Sequence, residues 1–390
     1  MTDRLIYLDN SATTRISEAA LTRYIEVSRE CFGNPSSLHR RGKEAEDILR
    51  CARRSVLSAI GAREGTVIFT GSGTEANNLA ILGRAHAKER YRGGRILTSA
   101  GEHASVSAPL AALAAKGYRV EEIPTVSGVL DLDALDARLA PDTLLVSVMA
   151  VNNETGAVYD IAELSRRIRA RCPDCALHVD ATQALFKIPL DVKRLGIDLL
   201  TVSAHKVEGP KGVGALYVSA DIIKKRGLAP YILGGGQEEG LRSGTENVPG
   251  IAAFATACEY GKENFAEFEQ RMRALRTYLL EGLSADPVTA EVRPLLPQKA
   301  APHILSLVLP RIKSEVMLHH LSSDGISVSS GSACSSHGRV GTSALGAFGL
   351  ADREVDCAIR VSLSHRNTEE ELDLLLASLK RGLLRLVRQK

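Results

Sequence analysis

Short apolar runs alternate with helical patterns along most of this chain, and this alternation does most to limit how it can fold. The apolar runs have the length of strands, and the segments between them have the period of helices. Because buried strands flanked by helices form mainly parallel sheets, the pattern predicts an α/β fold. The predicted strands are 66–70, 95–99, 144–150, 177–180, 199–203 and 214–218, and the predicted helices are 44–59, 110–116, 132–139 and 161–170.

The charge balance favours a small-molecule ligand over nucleic acid or a membrane. The 49 basic and 46 acidic residues leave a net charge of +3 over 390 residues. The amino terminus lacks the apolar run of a secretory signal, and no stretch is long and apolar enough to span a bilayer. We therefore predict a cytoplasmic enzyme, in which the 7 cysteines are reduced thiols.

Lys206 is the first residue of chemical interest, because it lies between the predicted strand 199–203 and a glycine-rich turn. In parallel sheets, ligands bind beyond the carboxyl ends of the strands. A desolvated lysine there can form a Schiff base with a carbonyl compound. A His-Lys pair before a turn is also a common solvated strand end, so the neighbouring strand ends have to decide between the two interpretations.

Asp180 ends the predicted strand 177–180 and supplies a carboxylate at the same edge of the sheet. A buried aspartate needs a positive partner, and a protonated pyridine nitrogen would complete a pyridoxal phosphate site with Lys206. Its alternative role is to cap the following helix. The turn 71–74 before the next helical segment suits a phosphate, although it is not a nucleotide P-loop and such glycine turns often serve geometry alone.

Two further strand ends carry polar side chains. His103 follows strand 95–99 and either stacks on a cofactor ring, moves protons or forms local hydrogen bonds. Asn153 follows strand 144–150 and either places its side-chain amide in the crevice or belongs to an ordinary turn.

The Cys172 and Cys175 pair has no second pair to complete a zinc site, so we interpret it as a connector.

A series of motifs in this order resembles the cysteine desulfurases, which are class V aminotransferase-like enzymes that use pyridoxal 5′-phosphate. The resemblance covers essentially the whole chain. The motifs are Tyr7-Leu8-Asp9-Asn10-Ser11-Ala12-Thr13-Thr14, Glu102-His103, Asn152-Asn153-Glu154, His178-Val179-Asp180-Ala181-Thr182-Gln183, Ser203-Ala204-His205-Lys206, Arg242-Ser243-Gly244-Thr245-Glu246-Asn247, Ser330-Gly331-Ser332-Ala333-Cys334 and Ile359-Arg360-Val361-Ser362.

The resemblance implies a homodimer of fold type I, with a mainly parallel, seven-stranded-type sheet in a large domain and a smaller α+β domain. It implies removal of sulfur from L-cysteine, leaving L-alanine and a cysteine persulfide that sulfur-acceptor proteins receive. For the cofactor ring, the resemblance assigns a Schiff base to Lys206, pairing with the pyridine nitrogen to Asp180, a bond to the ring oxygen to Gln183, and ring stacking and proton transfer to His103. The residues it assigns to the phosphate are Gly73, Thr74, Ser203, His205 and the partner subunit's Thr245. It assigns binding of the substrate carboxylate to Asn153 and Arg360.

Cys334 is the cysteine that the resemblance identifies as the persulfide carrier. It lies in a segment rich in glycine and serine, at about 329–342, which predicts a loop able to carry a thiol between a buried cofactor and an external acceptor. The residues after Cys334 lack the acidic residue and proline usual in the family. The sequence also lacks the extra carboxyl-terminal tail with which iron–sulfur assembly desulfurases dock their scaffold protein. Iron–sulfur cluster assembly and tRNA thiolation therefore both stay open as pathways.

Other functions remain compatible with the sequence. A selenocysteine lyase, another class V lyase or an aminotransferase would share the cofactor site and differ at Cys334. A non-catalytic adaptor would have a degraded site. The expected domains are a large cofactor-binding domain at 15–258 and a small domain formed by 1–14 and 259–390.

Overall fold

The structure, a computed structural model of the single chain, describes residues 5–88, 94–330 and 343–386. The strands are β1 Ile6–Tyr7, β2 Thr66–Thr70, β3 Arg95–Ser99, β4 Arg119–Ile123, β5 Thr125–Val126, β6 Val129–Leu130, β7 Thr143–Met149, β8 Ala176–Asp180, β9 Leu199–Ser203, β10 Gly214–Val218, β11 Arg293–Pro294, β12 Ile304–Val308, β13 Ile326–Ser327, β14 Ser329–Ser330 and β15 Ala358–Ser362.

The α-helices follow in the same chain order and alternate with the first strands as predicted. They are α1 Glu18–Glu30, α2 Arg40–Ala59, α3 Gly73–Ala87, α4 Ala104–Ala114, α5 Leu132–Arg138, α6 Ile161–Arg171, α7 Ala220–Lys224, α8 Val248–Glu263, α9 Phe265–Ala285, α10 Ser314–Ser323, α11 Ala344–Phe348, α12 Asp352–Val355 and α13 Glu369–Leu386. None of the helices in the described ranges has both the length and the apolar character that a bilayer crossing requires.

Side-chain caps determine where several helices begin. Ser72 precedes α3 and accepts the backbone N–H of Glu75, while Asp160 precedes α6 and accepts that of Glu163. Such caps satisfy N–H groups that have no partner inside the helix. The caps therefore fix the start of α3 directly after strand β2, at the edge of the sheet.

A large sheet forms the centre of the fold. Within the described residues its order is β2-β10-β9-β8-β7-β3-β4, and only β10 runs antiparallel to its neighbours. The sheet is therefore mainly parallel, as predicted. Successive residues of each strand enter opposite apolar clusters, as Phe69 and Ile68 do, and helices cover both clusters. The carboxyl ends of β2, β3, β7, β8 and β9 consequently meet at one edge.

A smaller antiparallel sheet, β11-β12-β15-β14, brings the carboxyl-terminal part of the chain to that edge. The amino-terminal arm joins it, because β1 pairs with β13 and Asp9 forms a bridge with Ser362. Ile6 and Leu8 share an apolar cluster with α9, α10 and α13. The domain boundaries stay a prediction.

The segment 251–283, whose helical pattern is continuous in the sequence, is two helices in the structure. Helix α8 ends before Asn264, which is the C-cap of α8 and the N-cap of α9. The Asn264 amide donates to the carbonyl of Tyr260, a bond that satisfies an acceptor at the end of α8. The sequence pattern did not reveal this break, because apolar residues continue on both sides of Asn264.

Candidate active site

A cavity of about 400 Å³ lies at the carboxyl edge of the large sheet. Residues from both sheets and from the amino-terminal arm line it, and we call it the crevice. Most of the predicted site residues line the crevice: Gly73, Thr74, His103, Asn153, Asp180, Gln183, Ser203, His205, Lys206 and Arg360. Thr245 is exposed and lies outside this lining. Cys334 falls outside the described residues.

Lys206 enters the crevice from a short 3-10 turn that directly follows β9. Its ammonium donates hydrogen bonds to the backbone carbonyls of Ser11 and Ala12, the second at 2.7 Å. The carbonyl of His205 in turn accepts the N–H of Thr14 at 2.8 Å. The amino-terminal arm and the lysine turn therefore hold each other in place.

Asp180 is buried at the end of β8, with 7% of its surface exposed. One carboxylate oxygen accepts the backbone N–H of Thr182 at 2.9 Å, and the other accepts the amide of Asn77 at 2.8 Å. The bond from Thr182 shows that Asp180 caps a local turn, as one of the two predicted roles requires. Asp180 also lines the crevice. Gln183 donates to the Ser11 carbonyl at 2.9 Å, which directs its side chain to the same wall.

The first turn of α3 meets the end of β9 in the lining of the crevice. The hydroxyl of Ser203 is buried and finds no hydrogen-bond partner among the described residues. A Cβ added at Gly73 would lie 3.2 Å from the Ser203 Cβ, so glycine keeps this helix start close to the serine. Burial, helped by Lys206 and Lys211, lowers the pKa of His205 to about 4. Free helical amides beside an unpaired hydroxyl are well suited to a phosphate.

His103 lies at the rim of the crevice as the N-cap of α4. Its Nδ1 accepts the backbone N–H of Ser105 at 3.1 Å and lies 2.8 Å from the Ser105 hydroxyl. The local role expected for a structural histidine is therefore filled by Nδ1, and the residue also lines the crevice.

Arg360 lies on β15, a strand of the small sheet that reaches the crevice, and is 8% exposed. Its guanidinium donates to Asp9 at 3.0 Å and to the backbone carbonyl of Asn153 at 2.8 Å. Its Nε has no partner among the described residues. This burial does not fit a solvent-exposed ion pair at Arg360.

The predictions from sequence missed Asn77 and Ser105, which bond to site residues and line the crevice. Asn77 is on α3, where the neighbouring buried positions are Gly73, Ala80 and Ile81. A polar residue in an apolar helical stripe was the available signal, because buried amides need specific partners. Ser105 left no such signal, since serine is common in the first turn of a helix.

Comparisons with known proteins identify relatives of this chain. The Aminotransferase class-V family model matches residues 6–375. The chain is 38% identical over 371 residues to "Cysteine desulfurase IscS 1" of Archaeoglobus fulgidus, with 95% of this chain and 94% of that protein covered.

Solved structures show the same relationship. One described as a NifS-like protein superposes with a TM-score of 0.89 at 36% identity, covering 98% of this chain and 100% of that one. A second, described as SspA in complex with cysteine, has a TM-score of 0.76 at 28% identity and covers 93% of this chain and 100% of that one. The chain therefore belongs to the aminotransferase class-V family, within its pyridoxal phosphate-dependent cysteine desulfurase group.

Proposed function

We propose that this chain removes sulfur from L-cysteine in the crevice and carries it as a persulfide on Cys334. The observation that carries the proposal is the meeting of an amine, a carboxylate and a guanidinium, from Lys206, Asp180 and Arg360, in one cavity of about 400 Å³. These groups match an aldehyde cofactor with a basic ring nitrogen and a substrate with a carboxylate.

The residues of the crevice fit pyridoxal phosphate. The orphaned, buried Ser203 hydroxyl and the open first turn of α3, with Gly73 and Thr74, would hold the phosphate. Asp180 would hold the pyridine N–H, because its carboxylate is buried at the crevice wall and both its present donors are neutral.

The remaining contacts to the cofactor follow from the positions of the other lining residues. Lys206 would bind its aldehyde carbon, Gln183 its ring oxygen and His103 its ring face. His205, kept neutral by burial, would donate to the phosphate without adding charge. When bound, pyridoxal phosphate withdraws electrons from the α-carbon of an amino acid, which makes its α-proton removable.

The chain's own groups then divide the work on L-cysteine. Arg360 would hold the substrate carboxylate, and its unpaired Nε offers a donor for it. Asn153, whose carbonyl orients the guanidinium, would contribute its side-chain amide. The amine of Lys206 would take the α-proton and later return a proton to the product.

Sulfur transfer is the step assigned to Cys334. Its thiolate would attack the sulfur of the substrate, so that an S–S bond forms while the bond from Cβ to sulfur breaks. The bonding pair stays on the carbon skeleton, which takes up a proton and leaves as L-alanine. L-cysteine and one enzyme thiol thus give L-alanine and one persulfide, with no external oxidant or reductant. An acceptor protein would then take the sulfur.

The proposal is tested by incubating the holoenzyme with L-cysteine and measuring alanine and intact mass. We expect alanine release and a gain of one sulfur atom that peptide mapping places at Cys334. Cys334→Ser should lose the adduct and nearly all turnover, whereas Cys51→Ser, a change at an exposed cysteine, should keep both. Alanine formation by Cys334→Ser at the wild-type rate, without a sulfur adduct, would instead indicate a lyase.

A further inference from the structure

A chain of hydrogen bonds links Asp180 at the wall of the crevice to His103 at its rim. The amide nitrogen of Asn77 lies 2.8 Å from Asp180 Oδ2 and 2.8 Å from the Ser105 hydroxyl. That hydroxyl lies 2.8 Å from His103 Nδ1. Asn77 is 1% exposed and Ser105 7%, so water competes little for these bonds. We call these four side chains the histidine relay.

The donors and acceptors of the histidine relay can be assigned in one direction. An ionised Asp180 only accepts, so the amide of Asn77 must present its NH₂ group to it. The second N–H of that group donates to the hydroxyl oxygen of Ser105. The hydroxyl proton of Ser105 is then available for His103 Nδ1, and the backbone N–H of Ser105 donates to the same atom at 3.1 Å.

Two donors therefore converge on one ring nitrogen of His103. A nitrogen that accepts hydrogen bonds carries no proton, and in a neutral imidazole the proton is then on the other nitrogen. A proton on Nδ1 would point at the proton of the fixed backbone N–H of Ser105 and repel it. The ring is thus biased towards the neutral form with its proton on Nε2.

We propose that Asn77 and Ser105 are positioning residues that hold resting His103 as the Nε2–H tautomer, with Nε2 as the ring atom that meets the substrate. Neither residue belongs to the ring, phosphate or carboxylate contacts proposed above. The consequence for the reaction rests on the proposed role of His103, whereas the tautomer itself can be measured independently of turnover.

The test is NMR of the holoenzyme labelled with ¹⁵N-histidine, with the His103 signals assigned from a His103→Gln variant. Correlations from the ring C–H protons separate a protonated nitrogen from an unprotonated one. We expect the proton of wild-type His103 on Nε2. Ser105→Asp replaces a donor to Nδ1 with an acceptor and should move a proton onto Nδ1, while Ser105→Thr keeps the hydroxyl and should keep the wild-type pattern.

Ser107→Asp is the matched control, since it adds the same charge to the same helix at a residue outside the lining of the crevice. It should leave the His103 signals unchanged. Ser105→Ala adds no charge and should weaken the preference of His103 for the Nε2–H tautomer. This variant replaces Ser105→Asp in the test if Ser105→Asp does not fold. A proton on Nδ1 in the wild-type protein, or a Ser105→Asp spectrum like that of wild type, would overturn the proposal.

Kinetics separate this proposal from the proposed function. Ser105→Ala should lower kcat about fivefold, the effect of one neutral hydrogen bond, with the KM for L-cysteine nearly unchanged because Arg360 is intact. Ser105→Thr should restore kcat. A reversed tautomer in Ser105→Asp with an unchanged kcat would support the tautomer assignment and overturn the role of His103 in the reaction.

Discussion

At the scale of single residues, Arg360 illustrates how a buried charge is prepared for a ligand. Its guanidinium is balanced by Asp9 and oriented by the Asn153 carbonyl, while Nε lacks a partner in the described part of the chain. A buried cation is costly without a counter-charge, and an unpaired donor adds to that cost. A substrate carboxylate would accept a hydrogen bond from Nε, so the cost of the unpaired donor would be removed when substrate binds.

Replacing Arg360 with lysine should therefore weaken substrate binding more than turnover. The charge remains, but the planar fork that can bind Asp9 and a carboxylate together is lost. We expect a loss of about 2 kcal/mol, or roughly a 30-fold rise in the KM for L-cysteine. Steady-state kinetics check this, with Arg366→Lys as the control, because Arg366 pairs with Glu208 and does not line the crevice. An unchanged KM in Arg360→Lys would refute the carboxylate assignment.

At the scale of elements, strand β8 carries polar side chains through the middle of the large sheet. His178 is fully buried there, between the hydroxyls of Ser147 on β7 and Thr201 on β9, at 2.8 and 3.1 Å. Burial lowers the pKa of His178 to about 4. The strand that presents Asp180 to the crevice is thus built around a histidine that stays neutral.

This histidine should make the fold sensitive to acid. Between about pH 6.5 and 4 the unfolded chain binds a proton at position 178 that the native chain does not, so stability falls as the pH drops through this window. The share of His178 in the loss from pH 7 to pH 5 is about 2 kcal/mol. Urea unfolding at both pH values should show a smaller loss for His178→Gln than for wild type.

His319→Gln is the control for this measurement, because His319 is exposed. It should lose as much unfolding free energy as the wild type. Equal losses in the wild type and in His178→Gln would show that the native strand accommodates a charged histidine.

At the scale of the whole molecule, a single chain leaves the predicted phosphate contact of Thr245 unmade. Thr245 is exposed and outside the crevice of its own chain. Large apolar side chains are also exposed, including Phe32 at 72%, Leu38 at 104% and Leu233 at 78%. Exposed apolar side chains do not by themselves mark an interface, so the homodimer that the Thr245 contact requires stays a prediction.

Mixed dimers test whether Thr245 acts across the interface. Lys206→Ala should abolish activity, and Thr245→Val should reduce cofactor affinity about tenfold through loss of a hydroxyl contact to phosphate. A purified dimer of the two variants contains one site with both Lys206 and the partner's Thr245. It should regain about half of the wild-type activity with the wild-type cofactor affinity, because one of the two symmetric sites is complete.

The control dimer combines Lys206→Ala with Asp180→Ala. Both changes affect the crevice of their own chain, so neither site is complete and no activity should return. If the active site of the Lys206→Ala and Thr245→Val dimer instead had the roughly tenfold weaker cofactor affinity of Thr245→Val, Thr245 would serve its own chain and not the partner's site.

Local features of the sequence were enough to predict much of the fold. The strands Thr66–Thr70, Arg95–Ser99, Leu199–Ser203 and Gly214–Val218 have the bounds expected from their apolar runs. Their type depends on composition and flanking turns, which lie within a few residues. The antiparallel direction of β10 was not predicted, because direction depends on pairing with β2 and β9, which are distant in the chain.

The sequence by itself determined several of the strands and helices around the site, and its motifs identified the family and the chemical groups of the site. Only the tertiary structure showed that Arg360 orients on the carbonyl of Asn153, a residue 207 positions away, and that Asn77 joins Asp180 to Ser105. Periodicity and caps act over a few residues and can be seen in the sequence. Contacts between distant side chains depend on how strands pair and helices pack, and the histidine relay exists only once α3, α4 and β8 have met.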